Sequence, residues 1–117
     1  MDNTWLHNFS GAVTICDTEG IIIYMNKKSQ STFARDGGAG LIGKNVLDCH
    51  PEPARSKLAT MLKTEETNCY TIEKNGVKKL IYQAPWYKDT SEYGGLVELS
   101  LEIPIKMPNY VRQPKED

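Results

Sequence analysis

The stretch Asp17-Thr18-Glu19-Gly20-Ile21-Ile22-Ile23-Tyr24-Met25-Asn26 constrains the fold more than any other, because it sets a turn, a strand and a helix cap in immediate succession. Asp-x-x-Gly suits a tight turn: the carboxylate bonds back to nearby backbone N–H groups, and Gly takes the left-handed conformation without steric cost. Residues 12–16 before it and 21–25 after it are apolar or β-branched, so the unit reads as a β-hairpin. Asn26 then stands where its side chain caps a following helix by accepting from an early helical N–H. That helix is expected to run to about Arg35, with Lys27 and Lys28 opposing the helix dipole in its first turn and pointing into solvent. Gly37, Gly38 and Gly40 make residues 36–40 a loop.

Residues 41–48 read as a short helix, and Pro51 and Pro53 interrupt the chain before a longer one. Ala54, Leu58, Met61 and Leu62 recur at i, i+4, i+7 and i+8, with Arg55, Lys57 and Lys63 off that stripe, so this helix lays one apolar face on a sheet. Asn75-Gly76, between apolar-patterned residues 69–74 and 77–88, is a strong hairpin signal, because a type I′ turn needs positive φ at both central residues. A second hairpin turns through residues 89–95 into a final strand. Trp5, Leu6 and Phe9 share one side of a segment capped by Asp2, Asn3 or Thr4, which predicts an amphipathic N-terminal helix within residues 1–10. Pro108 and Pro114 and the ending Lys115-Glu116-Asp117 mark residues 105–117 as an extended tail or linker.

At 117 residues the chain is expected to form one domain with a single core that needs no disulfide framework. A formal net charge of -1 leaves no footprint for nucleic acid. Its apolar runs reach about five residues against the ~20 that span a bilayer, and Met1-Asp2-Asn3 begins no signal peptide, so no membrane segment and a cytoplasmic location are expected. Cys16, Cys49 and Cys69 are odd in number and widely spaced, which makes reduced thiols the default. Of the two histidines, His7 lies in the N-terminal segment, where a surface role is expected. The chain has no Ser-His-Asp spacing, P-loop or metal-ligand pair at helical spacing, so neither an enzyme nor a metal site is expected.

The opening hairpin, the segment Leu41-Ile42-Gly43-Lys44-Asn45 and the final run Gly95-Leu96-Val97-Glu98-Leu99-Ser100-Leu101-Glu102-Ile103-Pro104 together resemble a PAS sensor domain over residues 11–104, with all elements in order. The PAS final strand usually ends Asp-Ile-Thr, whereas this one ends Glu-Ile-Pro. The resemblance implies an α+β fold, a five-stranded antiparallel sheet with short helices on one face. It also implies a sensory role in signal transduction or transcription regulation, in which a small ligand or a partner is bound and the signal passes through the sheet face to an output domain or protein.

Light-sensing flavin PAS domains carry Asn-Cys-Arg-Phe-Leu-Gln beside the middle glycine. Here Gly43-Lys44-Asn45-Val46-Leu47-Asp48 puts Val46 in place of the adduct-forming Cys, and Cys49 is nearly a helical turn away, so flavin photo-adduct chemistry is excluded and no cofactor is expected. Cys49-His50-Pro51 resembles a haem ligand set, since imidazole and thiolate both bind haem iron. Haem-binding PAS domains commonly take their axial His from the long helix that follows, however, and that helix has none. A haem sensor through His50 stays an alternative, beside a packed or capping histidine and a histidine that bonds a small polar ligand. The Cys-His-Pro segment with a Gly-x-x-Glu final strand is similar to a subset of bacterial PAS domains, a likeness that names no ligand.

Pattern alone would send Val97, Leu99, Leu101 and Ile103 to the core and leave Glu98, Ser100 and Glu102 wet. Laying Glu-Ile-Pro on the family's ending implies the opposite phase, with Glu98 and Ser100 inward. The neighbouring strand is then expected to turn Leu80, Tyr82, Ala84 and Trp86 inward. On this reading the ligand-binding residues are His50, Glu98, Ser100, Tyr82, Trp86 and Cys16, roofed by Leu58, Met61 and Leu62. A buried Glu98 needs His50, Tyr82, Trp86, water or a ligand as partner. The outward aliphatics Val97, Leu99 and Leu101 form a contact surface, covered by Trp5, Leu6 and Phe9 or by a second subunit of a homodimer. If the core is filled instead, the chain is a ligand-free PAS dimerisation module.

Overall fold

A computed structural model describes residues 3–116. Strands β1 (Ala12–Cys16) and β2 (Ile22–Met25) form the opening hairpin. Its turn is held as the residues dictate: Asp17 Oδ1 accepts from the backbone N–H groups of Glu19 and Ile21, each at 2.9 Å, and Gly20 sits at φ +88°. Asn26 caps α2 (Lys27–Thr32) by accepting from Ser29 N at 3.0 Å. The helix ends earlier than expected, passing into a 3-10 turn at Ala34–Asp36.

Residues 41–48 are not one helix. Two 3-10 turns, Gly38–Leu41 and Val46–Cys49, flank an extended piece that hydrogen-bonds along the open edge of β2, Gly43 N to Ile22 O at 2.8 Å and Ile22 N to Lys44 O at 2.9 Å. Those strand-edge groups need partners and take the backbone groups a helix would have used internally. Asn45 supports this arrangement, with its Oδ1 accepting from Leu47 N and its Nδ2 donating to Glu19 O.

Helix α3 (Ala54–Thr64) buries Leu58, Met61 and Leu62 as its stripe predicts, while Ala54 stays exposed. Strands β3 (Asn68–Lys74), β4 (Val77–Tyr87) and β5 (Tyr93–Ile103) complete a five-stranded antiparallel sheet in the order β2-β1-β5-β4-β3. Asn75 and Gly76 both have positive φ, +54° and +79°, as their turn requires.

Register assigns the faces, because residues directly opposite in adjacent strands point to the same side. Glu98 stands opposite Thr14 and Gln83, and Ser100 opposite Ala12 and Ile81. These residues face α3, whose Leu58, Met61 and Leu62 pack with Cys16 and Leu96. Val97 stands opposite Ile15 and Ala84, and Leu99 opposite Val13 and Tyr82, so these six share the outer face. Leu80, Tyr82, Ala84 and Trp86, expected inward from the sequence, therefore lie on the outer side, and Tyr82 is exposed there. The inward positions of β4 are Ile81 and Gln83, because a one-residue difference in register exchanges the two faces of a strand.

Helix α1 (Thr4–His7) is shorter than the predicted N-terminal helix. Asn3 occupies its cap position without a side-chain cap bond, and Asp2, the other acidic or amide cap candidate, lies outside the described residues. It lies on the outer side of the sheet. His7 Nδ1 is 3.1 Å from the hydroxyl of Tyr24, which stands opposite Ile15. From residue 104 to the last described turn, Pro114–Glu116, the tail forms no strand, and Ile105, Met107, Tyr110 and Val111 are exposed along it.

Candidate functional site

Two apolar clusters fill the space between the inner sheet face and the helices. One gathers Cys16, Leu58, Met61, Leu62 and Leu96; the other gathers Ile22, Met25 and Leu41, and Val46 packs against both. Where they meet, the packing leaves a cavity of about 130 Å³. Its wall is mostly hydrocarbon from Ile22, Met25, Phe33, Leu41, Val46, Leu58 and Leu96, with polar groups from Thr14, Asp36, Cys49, His50, Gln83 and Glu98. Asp36 and Cys49 are exposed and lie at the mouth. The cavity opens to solvent at that mouth, and the side chains that line it forgo the close packing of an interior there.

The polar end is built on the central strands. Glu98 is partly buried, and its Oε2 accepts from Gln83 Nε2 at 2.8 Å. Gln83 is 7% exposed, and its Oε1 accepts in turn from Asn68 Nδ2 at 3.2 Å. The chain of amides orients itself, since a carboxylate has no proton to give and Gln83 must offer its NH₂ group to it. Thr14 beside them is engaged by the hydroxyl of Ser29. Sequence reasoning did not single out Gln83 or Asn68. An amide inside the run Leu80-Ile81-Tyr82-Gln83-Ala84 was the available signal, and only register ties it to Glu98.

His50 reaches the cavity from the end of the Val46–Cys49 turn, with Nδ1 2.7 Å from Val46 O. A carbonyl can only accept, so Nδ1 carries a proton and Nε2 is the uncommitted nitrogen among the described contacts. Cys49 also lines the cavity, because in a 3-10 turn residues three apart lie one above the other and it follows Val46 on the same side. Burial pushes the Cys16 thiol above its ordinary pKa; a hydrogen bond from the Leu96 backbone opposes this, and the charges of Asp17 and Glu98 add to it.

The sequence-derived site residues therefore divide. Glu98, Cys16, His50 and Leu58 meet at the cavity. Met61 and Leu62 are core beside it and do not line it. Ser100 is inward and buried but lies past the cavity, opposite Ala12 and Ile81. Tyr82 and Trp86 are excluded by face, and Trp86 Nε1 donates to Cys16 O at 3.0 Å instead. The partner of Glu98 is Gln83 rather than any of the three side chains expected. Of the outer-face residues, Trp5 and Phe9 are exposed and Leu6, Val97, Leu99 and Leu101 partly so; Leu101 and Phe9 crowd Gly11, where an added Cβ would meet both.

No family profile and no curated protein sequence matches the chain. Solved structures do. The Aer2 receptor from Vibrio cholerae, a dual PAS-heme oxygen sensor, superposes with a TM-score of 0.58 at 23% identity, over 80% of this chain and 94% of that one. A sensory box sensor histidine kinase from Vibrio cholerae gives 0.60 at 20% identity over 86% and 87% of the two chains. This is the PAS fold. VqmA bound to DPO has it too, with a TM-score of 0.63 at 12% identity over 86% of this chain and 56% of that one. At these identities the likeness is one of fold, and what the PAS fold does in this chain rests on its own cavity and faces.

Proposed function

We propose that this PAS-fold domain is a non-enzymatic sensor that holds a small molecule between its sheet and helices and passes the occupancy to the outer sheet face. The observation that carries this reading is the polar chain Asn68–Gln83–Glu98, which ends in a carboxylate at a cavity with mostly hydrocarbon walls. Ligand sites have this composition, an apolar concavity with a few oriented polar groups. That VqmA, of the same fold, is bound to DPO supports it further.

Strand β5 couples the two sides. Glu98 faces the cavity, while its neighbours Val97 and Leu99 belong to the outer face. A ligand that binds one strand position better shifts a pre-existing equilibrium, and whatever covers the outer face registers the shift. We propose a second subunit as that cover, with Trp5, Leu6 and Phe9 joining Val97, Leu99 and Leu101 at the interface. The dimer of VqmA from Vibrio cholerae, also of this fold, is in keeping with it.

A haem fits these residues poorly. The cavity of about 130 Å³ is near the size of one known to hold benzene, and α3 carries no histidine to serve as an axial ligand. Flavin photo-adduct chemistry has Val46 at the position of the reactive Cys. We therefore propose a cofactor-free protein, working in the cytoplasm. Among the described residues no helix is long and apolar enough to cross a membrane.

Native mass spectrometry of the purified protein tests the proposal. A retained mass lost on denaturation, or one taken up from a small-molecule library and displaced by filling the cavity with Leu58→Trp, is expected. Failure of every library member to bind the folded protein would leave only the dimerisation role.

A further inference from the structure

The charged groups at the cavity are all carboxylates, and that restricts what can enter. Gln83 donates to Glu98 Oε2 and accepts from Asn68, and the second carboxylate oxygen of Glu98, Oε1, has no hydrogen-bond partner among the described residues. His50 donates its Nδ1–H to the Val46 carbonyl, which leaves Nε2 as its uncommitted nitrogen. Thr14 shares a hydrogen bond with Ser29. Asp36 adds a second carboxylate at the mouth, and none of the described lining residues is Lys or Arg. A carboxylate ligand would meet like charge at Glu98 and Asp36, whereas a ligand with N–H groups would find acceptors already held in place, without reorganisation on binding.

Resting on the reading of this cavity as a ligand site, we propose that its ligand class is the small organic cation: a compact primary amine or amidine whose positive group bonds Glu98 and whose single ring or branched alkyl body fills the space among Met25, Leu41 and Leu58. Size follows from the volume of about 130 Å³, which suits a body near that of benzene. Selectivity follows from charge, because a cationic donor on a carboxylate forms a stronger hydrogen bond than a neutral donor does.

Three molecules of nearly one shape test this: benzylamine, benzyl alcohol and benzoate, titrated into ¹⁵N-labelled protein at neutral pH. Benzylamine is expected to shift the backbone amides of Gln83, Leu96 and Glu98 and to bind about tenfold more tightly than benzyl alcohol, with benzoate causing no shift there. In Glu98→Gln, which keeps the size of the side chain and removes its charge, the preference for the amine over the alcohol is expected to vanish. If benzyl alcohol or benzoate binds the unaltered protein at least as well as the amine, the cation assignment is wrong and the cavity reading stands. If none of the three disturbs the cavity amides at millimolar concentration, both fall together.

Discussion

Asn26 is 0% exposed, and each side-chain polar atom is used twice: Oδ1 accepts from Val13 N and Ser29 N, and Nδ2 donates to the carbonyls of Leu6 and Gly11. One side chain thus fixes β1, the start of α2 and the approach of the N-terminal segment. It is also one step from the cavity, because Ser29, which it caps, bonds Thr14 in the cavity wall. Replacing Asn26 with Ala strands buried donors and acceptors that water cannot reach, and an unsatisfied buried group is worth more than the bond it lost. A loss of about 3 kcal/mol is expected, read as a lower urea midpoint at unchanged slope; a loss under about 1 kcal/mol would mean that other groups take over its bonds. The capping half of this role was legible in the sequence. The link to Leu6 was not, because nothing local brings residue 6 beside residue 26.

Among the elements, two glycines, one in the β3–β4 turn and one near the start of β5, serve different ends. Gly76 has φ +79° and open space where a Cβ would stand, so only the backbone asks for glycine. Gly95 has φ +135°, and a Cβ there would lie 2.0 Å from the carbonyl oxygen of Cys16 and close to the backbone of Asp17. Its lack of a side chain is what lets the start of β5 cross tightly beside the end of β1. Gly76→Ala is expected to cost about 1 kcal/mol, while Gly95→Ala is expected to cost more than about 4 kcal/mol or to prevent folding. Urea unfolding of both variants, with yield of folded protein as the fallback, decides; equal costs would contradict the close approach. Asn75-Gly76 announced its turn from sequence alone, whereas Gly94-Gly95 gave no sign of which strand it meets.

For the whole molecule, the outer face presents apolar side chains that nothing among the described residues fully covers. Trp5 is 69% exposed and Tyr82 39%, with Val97, Leu99 and Leu101 partly exposed between them. Burying such side chains is worth roughly 1.5 to 3 kcal/mol each, so Leu99→Glu is expected to yield a folded monomer from a dimeric parent in sedimentation equilibrium. A parent already monomeric at tens of micromolar refutes the dimer. How far the residues alone reach is clear from the same face. The opening turn, the Asn26 cap, the α3 stripe and the Asn75-Gly76 hairpin depend on neighbours in the chain, and residues 12 to 76 announce them locally. Faces do not. Glu98 was placed inward by the likeness of the strand's ending, yet Tyr82 and Trp86 were assigned to the same side, which the pairing of Leu99 with Tyr82 forbids. Alternation fixes which residues of a strand go together; the register against the neighbouring strand decides which set meets the core, and one residue of slip reverses the answer. The Gln83 partner of Glu98 is a consequence of that register, and the space left between two clusters follows from how the helices pack on the sheet, so both belong to the tertiary structure alone.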